Sequence, residues 1–119
     1  IMAKIQIYGI PNCDSVKKAR KWLDANGLDY AFHDYKKTGA DRAALERWAD
    51  RCGWESLLNR RGTTFRKLDE SDRTDLDRAK AIDLMLQHTS LIKRPIAQHE
   101  DGQRTLVGFS ESEWENAFC

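Results

Sequence analysis

Two hydrophobic periods follow one another near the start of this chain, and together they leave few folds open. Ile5 and Ile7 alternate with Lys4 and Gln6, the period-2 pattern of a half-buried strand. Gly9 and Pro11 break that strand, and Asn12-Cys13-Asp14-Ser15 leads into a helix. Its apolar residues Val16, Ala19, Trp22 and Leu23 share one face, with Lys17, Lys18, Arg20 and Lys21 on the other. Asn26-Gly27 is the stop, because glycine takes the left-handed conformation that ends helices at little cost. Tyr30 and Phe32 then alternate with Ala31 and His33, which predicts a second strand. A strand, a helix and a strand in this order form a βαβ unit, normally parallel and right-handed.

Cys13 falls at the corner, at or just before the first helical turn. Unpaired backbone N–H groups and the positive end of the helix dipole favour an anion there, so a thiol in that place is expected to have a lowered pKa. Asp14, one residue on, works mildly against this. The competing reading is a cysteine used as a small apolar filler.

Beyond Thr38-Gly39, Asp41 can start a helix in which Leu45, Trp48, Ala49 and Cys52 form an inward stripe closed by Gly53. Cys52 is therefore expected in the core. Trp54 to Leu58 reads as a further short helix, and Asn59-Arg60-Arg61-Gly62-Thr63-Thr64 as a basic loop. The arginine pair is either part of a solvated turn or a holder of a carboxylate or oxyanion. Asp69 to Asp77 is a charged connector with no core face. Leu76, Ala79, Ile82, Met85 and Leu86 predict a long helix ending near His88. Pro95 precedes a strand, Ile96 to His99. Asp101-Gly102 is a hairpin signal, with Thr105 to Phe109 as the return strand. Ser110 and Glu113 form a capping box that opens a last helix, with Trp114 and Phe118 inward.

The resulting order, βαβ, a helical block over about residues 36–88, then ββα, is that of an α/β, thioredoxin-like fold. The block is a helical insertion between the second and third strands, and residues 1–119 are expected to form a single domain. Charged residues make up 33% and nearly cancel to a net charge of +1, so neither nucleic acid nor a membrane surface is expected as a partner. The three cysteines, Cys13, Cys52 and Cys119, lack the paired spacings of a disulfide framework or a zinc site, so no metal is expected. Free thiols, with Lys4, Gln6, Asn12 and Asp14 interrupting the only early apolar stretch, lead us to expect no export signal and a reducing cytoplasm. No long exposed apolar stripe argues for more than a monomer.

Three segments together, Tyr8-Gly9-Ile10-Pro11-Asn12-Cys13-Asp14-Ser15, Met85-Leu86-Gln87-His88 and Leu91-Ile92-Lys93-Arg94-Pro95-Ile96, resemble the arsenate reductase family of the glutaredoxin-coupled type. Val16 to Leu23 is similar in particular to its YffB-like branch. The resemblance implies Cys13 as nucleophile, Pro95 as a cis-proline facing it, and Arg94 near the sulfur. It also implies an arginine on the loop after the short helix, for which Arg60 and Arg61 are the candidates, since Asn59 stands at the aligned place. Two departures bear on substrate: Gly9 replaces a histidine, and Phe109 replaces a late-strand arginine. Tetrahedral oxyanions need several cations, so arsenate is not expected as the main substrate. The family's regulators have a Cys-x-x-Cys pair, where this chain has Val16.

These readings lead us to expect a glutathione-dependent monothiol oxidoreductase. Cys13 would form a mixed disulfide that glutathione, as co-substrate, or glutaredoxin, as a further partner, resolves. Asn12, Ser15, Lys17, Arg60, Arg61, Arg94 and Pro95 are the expected contacts for glutathione or an oxyanion, although Lys17 equally fits a solvated helix face. The alternatives are a weak arsenate reductase and a non-enzymatic regulator that binds RNA polymerase.

Overall fold

A computed structural model describes residues 5–99 and 104–119; the expected Asp101-Gly102 turn lies outside them. The chain divides into two compact units, one made of the segments up to Tyr35 and from Arg94 onward, the other of Lys36–Lys93.

The first unit is built on a four-stranded mixed sheet of order β2-β1-β3-β4. Its strands are β1 (Ile5–Gly9), β2 (Tyr30–Asp34), β3 (Ile96–His99) and β4 (Thr105–Val107). β1 buries Ile5, Ile7 and Gly9 and leaves Gln6 and Tyr8 half-buried, as the alternation requires. It pairs parallel with β2, from Ile5 opposite Tyr30 to Gly9 opposite Asp34, and antiparallel with β3, where Tyr8 faces Ile96. The parallel pairing needs a crossover, and α1 (Asp14–Ala25) supplies it, burying Val16, Ala19 and Leu23. Gly27, at φ 64°, turns the chain out of α1. A helix over Glu111–Phe118 closes the unit; Ser110 caps it by accepting from the Glu113 N–H, and Trp114 is fully buried. Trp114 also donates from Nε1 to the Gly108 carbonyl at 3.1 Å, so the buried indole leaves no donor unmet. Ile5, Ile7, Ala19, Leu23, Ala97 and Trp114 form the core, with Trp22, Phe109 and Phe118 half-buried against it. The βαβ–ββα order of a thioredoxin-like fold is thus present.

Between β2 and β3 run α2 (Tyr35–Thr38), α3 (Arg42–Cys52), α4 (Trp54–Leu57), α5 (Thr63–Arg66), α6 (Glu70–Arg73) and α7 (Arg78–Gln87), followed by a 3-10 turn at Thr89–Leu91; the terminal helix is α8. Asp41 caps α3 through the Ala44 N–H, and Asp77 caps α7 through the Lys80 N–H. Leu45, Trp48, Leu57, Leu58, Ile82, Met85, Leu91 and Ile92 are buried in this second unit.

Several local expectations change. Thr63 and Thr64 open α5 instead of extending the basic loop, and the charged connector contains α6, which buries nothing. α7 buries Ala81, Ile82, Leu84 and Met85, while Ala79 is exposed and Leu76 precedes the Asp77 cap. Ile82 and Met85 are thus inward as expected, and Ala81 and Leu84 take the places expected for Ala79 and Leu86, both sets having helical spacing. β4 stops at Val107 because Gly108, at φ 80°, takes a conformation that ends the strand. Cys52 is half-buried at the last residue of α3, not in the core.

Candidate active site

The β1–α1 corner sets Cys13 at the N-cap of α1 in an extended conformation, with the Lys17 N–H donating to its carbonyl at 2.9 Å. The thiol makes no capping hydrogen bond of its own. The two N–H groups that a capping side chain would bind, those of Ser15 and Val16, face the sulfur and favour it as thiolate. Burial pushes the Cys13 thiol up. The Val16 N–H, the Arg94 guanidinium and the Ser15 N–H outweigh that, and the net effect holds it below its ordinary value. A half-buried thiol so placed has the electrostatic surroundings of a nucleophile.

Arg94 reaches Cys13 from the turn before β3. Its peptide bond to Pro95 is cis, Pro95 is buried, and the Pro95 carbonyl accepts from the Gly108 N–H at 2.8 Å. Burial works against the guanidinium charge, and the hydrogen bond to Cys13 and the nearby Tyr35 favour it, with a net upward shift. Tyr35, 3% exposed, has its phenol pushed up to about 12 by burial, against the pull of Arg94. Sequence reasoning missed Tyr35. The available signal was an aromatic residue just past the C-terminal end of a parallel strand, where ligand sites in α/β sheets gather.

Asn12, Ser15 and Lys17 are exposed on the rim, and Lys17 Nζ donates to Asn12 Oδ1 at 3.5 Å. Cys13, Arg94, Pro95, Asn12, Ser15 and Lys17 thus belong to one unit. Arg60 and Arg61 belong to the other, where with Glu55, Leu58, Asn59 and Lys93 they line a cleft of about 340 Å³. Arg60 lies over the Trp54 ring at 5.5 Å, and the Arg61 N–H donates to Asn59 Oδ1 at 3.1 Å. Among the described residues no cluster of three metal-ligating side chains exists, and no helix is long and apolar enough to cross a membrane.

The two departures at Gly9 and Phe109 have physical readings. A Cβ at Gly9 would stand 2.8 Å from Val16 Cγ2, and Val16 is fully buried in the first turn of α1. No side chain fits there, histidine included, while Val16 keeps its place. Gly9→Ala is expected to destabilise the fold by about 1–3 kcal/mol, the usual cost of overpacking, as read from a urea unfolding midpoint. Phe109 packs its ring edge-to-face on Trp22 and Trp114 and brings no charge. Cys52 differs from Cys13: burial pushes its thiol up, only weakly opposed by Arg51, which leaves it a poor nucleophile. Cys119 is exposed at the end of α8.

The family model described as "ArsC family" matches residues 8–117. A solved structure of the YFFB (PA3664) protein is 52% identical and superposes with a TM-score of 0.93, covering 98% of this chain and 100% of that one. An arsenate reductase (ArsC) related protein from Brucella melitensis is 49% identical with a TM-score of 0.75, covering 97% and 94% of the two chains. An uncharacterized protein of Haemophilus influenzae is 43% identical over 97% of this chain and 99% of its own. The global transcriptional regulator Spx of Streptococcus pyogenes is 32% identical over 92% of this chain and 81% of its own. With the family model matching residues 8–117 and the YFFB and Haemophilus influenzae proteins matched over nearly their full lengths, the chain belongs to the ArsC family.

Proposed function

We propose that this protein is a glutathione-dependent monothiol oxidoreductase that works in the cytoplasm. The observation that carries the reading is a single thiol at a helix N-cap, held below its ordinary pKa beside a guanidinium, with Val16 where a second local cysteine would stand. The Cys13 thiolate attacks one sulfur of a disulfide between glutathione and a substrate. A Cys13–glutathione disulfide forms and the substrate leaves as a thiolate, which takes up a proton. A second glutathione, or glutaredoxin, then attacks the glutathione sulfur, and Cys13 departs as the thiolate it began as. Arg94 favours that thiolate at both ends of the cycle and can hold a glutathione carboxylate at two points. Lys17 and Asn12 on the rim, and Arg60 or Arg61, are further carboxylate contacts in this reading.

The experiment follows reduction of a glutathione mixed disulfide by glutathione, coupled to glutathione reductase, with arsenate reduction measured alongside. Cys13-dependent turnover that saturates with glutathione is expected, and arsenate reduction close to background, since neither Gly9 nor Phe109 supplies the missing groups. Absence of glutathione-dependent turnover, or robust Cys13-dependent arsenate turnover, would overturn the reading. The likeness to Spx supports a second one, a non-enzymatic regulator that binds RNA polymerase. Retention of polymerase by the immobilised protein, without any thiol turnover, would favour it.

A further inference from the structure

We infer that Tyr35 is a positioning residue: its buried hydroxyl holds the Arg94 guanidinium against the Cys13 sulfur. The inference deepens the oxidoreductase reading above and rests on it for its functional meaning. Parallel pairing of β1 with β2 sets Gly9 opposite Asp34. The next residue along β2 is therefore carried to the same end of the sheet as the loop that follows β1 and ends at Cys13. That residue is Tyr35, and its ring is buried. The Arg94 guanidinium hydrogen-bonds both the Tyr35 hydroxyl and the Cys13 thiol, so the arginine bridges the two side chains. Besides Arg94, the charged groups acting on Tyr35 are the Cys13 thiolate and Asp34; the backbone N–H groups of Ser15 and Val16 complete the surroundings of the sulfur.

An arginine side chain has several rotatable bonds and loses much freedom when fixed, so a charge beside a nucleophile needs a second anchor to stay there. The guanidinium can serve both neighbours, because its N–H donors point in fixed, divergent directions in one plane. Tyrosine suits the anchoring role better than a carboxylate would. Its oxygen accepts the hydrogen bond, and burial keeps the phenol neutral throughout the physiological range. The positive charge of Arg94 therefore remains available to the thiolate instead of being cancelled by its anchor.

The test is a double-mutant cycle on Cys13 alkylation by iodoacetamide as a function of pH, with Tyr35→Phe made in the wild type and in Arg94→Ala. Phenylalanine keeps the buried ring and removes only the hydroxyl. In the wild-type background, Tyr35→Phe is expected to raise the alkylation midpoint by about half a unit to one unit, which is about three- to ten-fold slower below it. In the Arg94→Ala background it should leave the rate within about two-fold, because the group it positions is gone. An equal effect in both backgrounds, or none in the first, would overturn the inference. Should Tyr35→Phe fail to fold, nitrogen-15 NMR of the Arg94 Nη groups in Cys13→Ser decides. Separate, slowly rotating Nη signals are expected because Tyr35 still holds the guanidinium when the thiol is gone, and rotationally averaged signals would overturn the inference. Alkylation uses no glutathione, so a wild type without glutathione turnover would count against the proposed function while the cycle still judged Tyr35.

Discussion

Cys13→Ser is expected to reduce thiol transfer to background while leaving the fold close to wild-type stability. A serine hydroxyl does not ionise in the working pH range, so no nucleophile remains at the corner of β1 and α1. The helix loses nothing by the change, since serine is among the best N-cap residues and the Ser15 and Val16 N–H groups already face that side chain. Equilibrium unfolding near neutral pH should shift by no more than about 1 kcal/mol. The comparison should then diverge with pH, in a direction fixed by linkage. The folded-state pKa of Cys13 lies below the unfolded one, so thiolate formation stabilises the fold above the ordinary thiol value. That contribution is lost as pH falls through the folded-state value, and the serine variant never has it. Wild type should accordingly gain on Cys13→Ser as pH rises toward the alkaline side; a gain on lowering the pH would mean that the thiol is held as the neutral form.

Arg94→Lys is expected to lower glutathione-dependent turnover about ten-fold or more, the equivalent of a charge-assisted hydrogen bond of about 1.5 kcal/mol. The charge is kept, but the fork is lost, and with it the ability to bond Tyr35 and Cys13 at once while meeting a carboxylate at two points. The same change removes one of the causes that lower the Cys13 pKa, so the alkylation midpoint should move up toward about 8.5, the ordinary thiol value. Steady-state kinetics and the alkylation titration are independent checks. Unchanged values in both would make Arg94 a solvated or purely structural arginine.

The parts of this fold that could be read in advance are those where period and punctuation agree. Ile5 and Ile7 alternate cleanly into a parallel pair, although Gly9, read as a breaker, is the last residue of β1, and the α1 stripe of Val16, Ala19 and Leu23 has one possible inward face. In α7 Ile82 and Met85 of the expected stripe are inward, but Ala81 and Leu84 stand beside them where Ala79 and Leu86 were expected, because apolar residues nearly all round a helix give spacing no single inward face. Cys52 continued a good stripe by spacing, but the last residue of a helix frays toward solvent and is only half-covered. At the site, Cys13 was visible because it sits at a helix start, whereas Arg94 was implied only by the family resemblance of the segment around Pro95. Tyr35 has no such marker. It stands one residue beyond a strand and just before Lys36 and Lys37, and its significance depends on strand register, which spacing alone does not give.

In the proposed function one thiol, without an internal partner, performs the chemistry. Intact mass after incubation with oxidised glutathione, for the wild type and for Cys13→Ser, Cys52→Ser and Cys119→Ser, tests it most directly. A single glutathione adduct is expected on the wild type, Cys52→Ser and Cys119→Ser proteins. It should be absent from Cys13→Ser and released only by added thiol or glutaredoxin, at a rate that does not depend on Cys119. Loss of two hydrogens with no adduct, and a Cys13–Cys119 disulfide in the peptide map, would contradict the claim and replace the monothiol mechanism with a dithiol one.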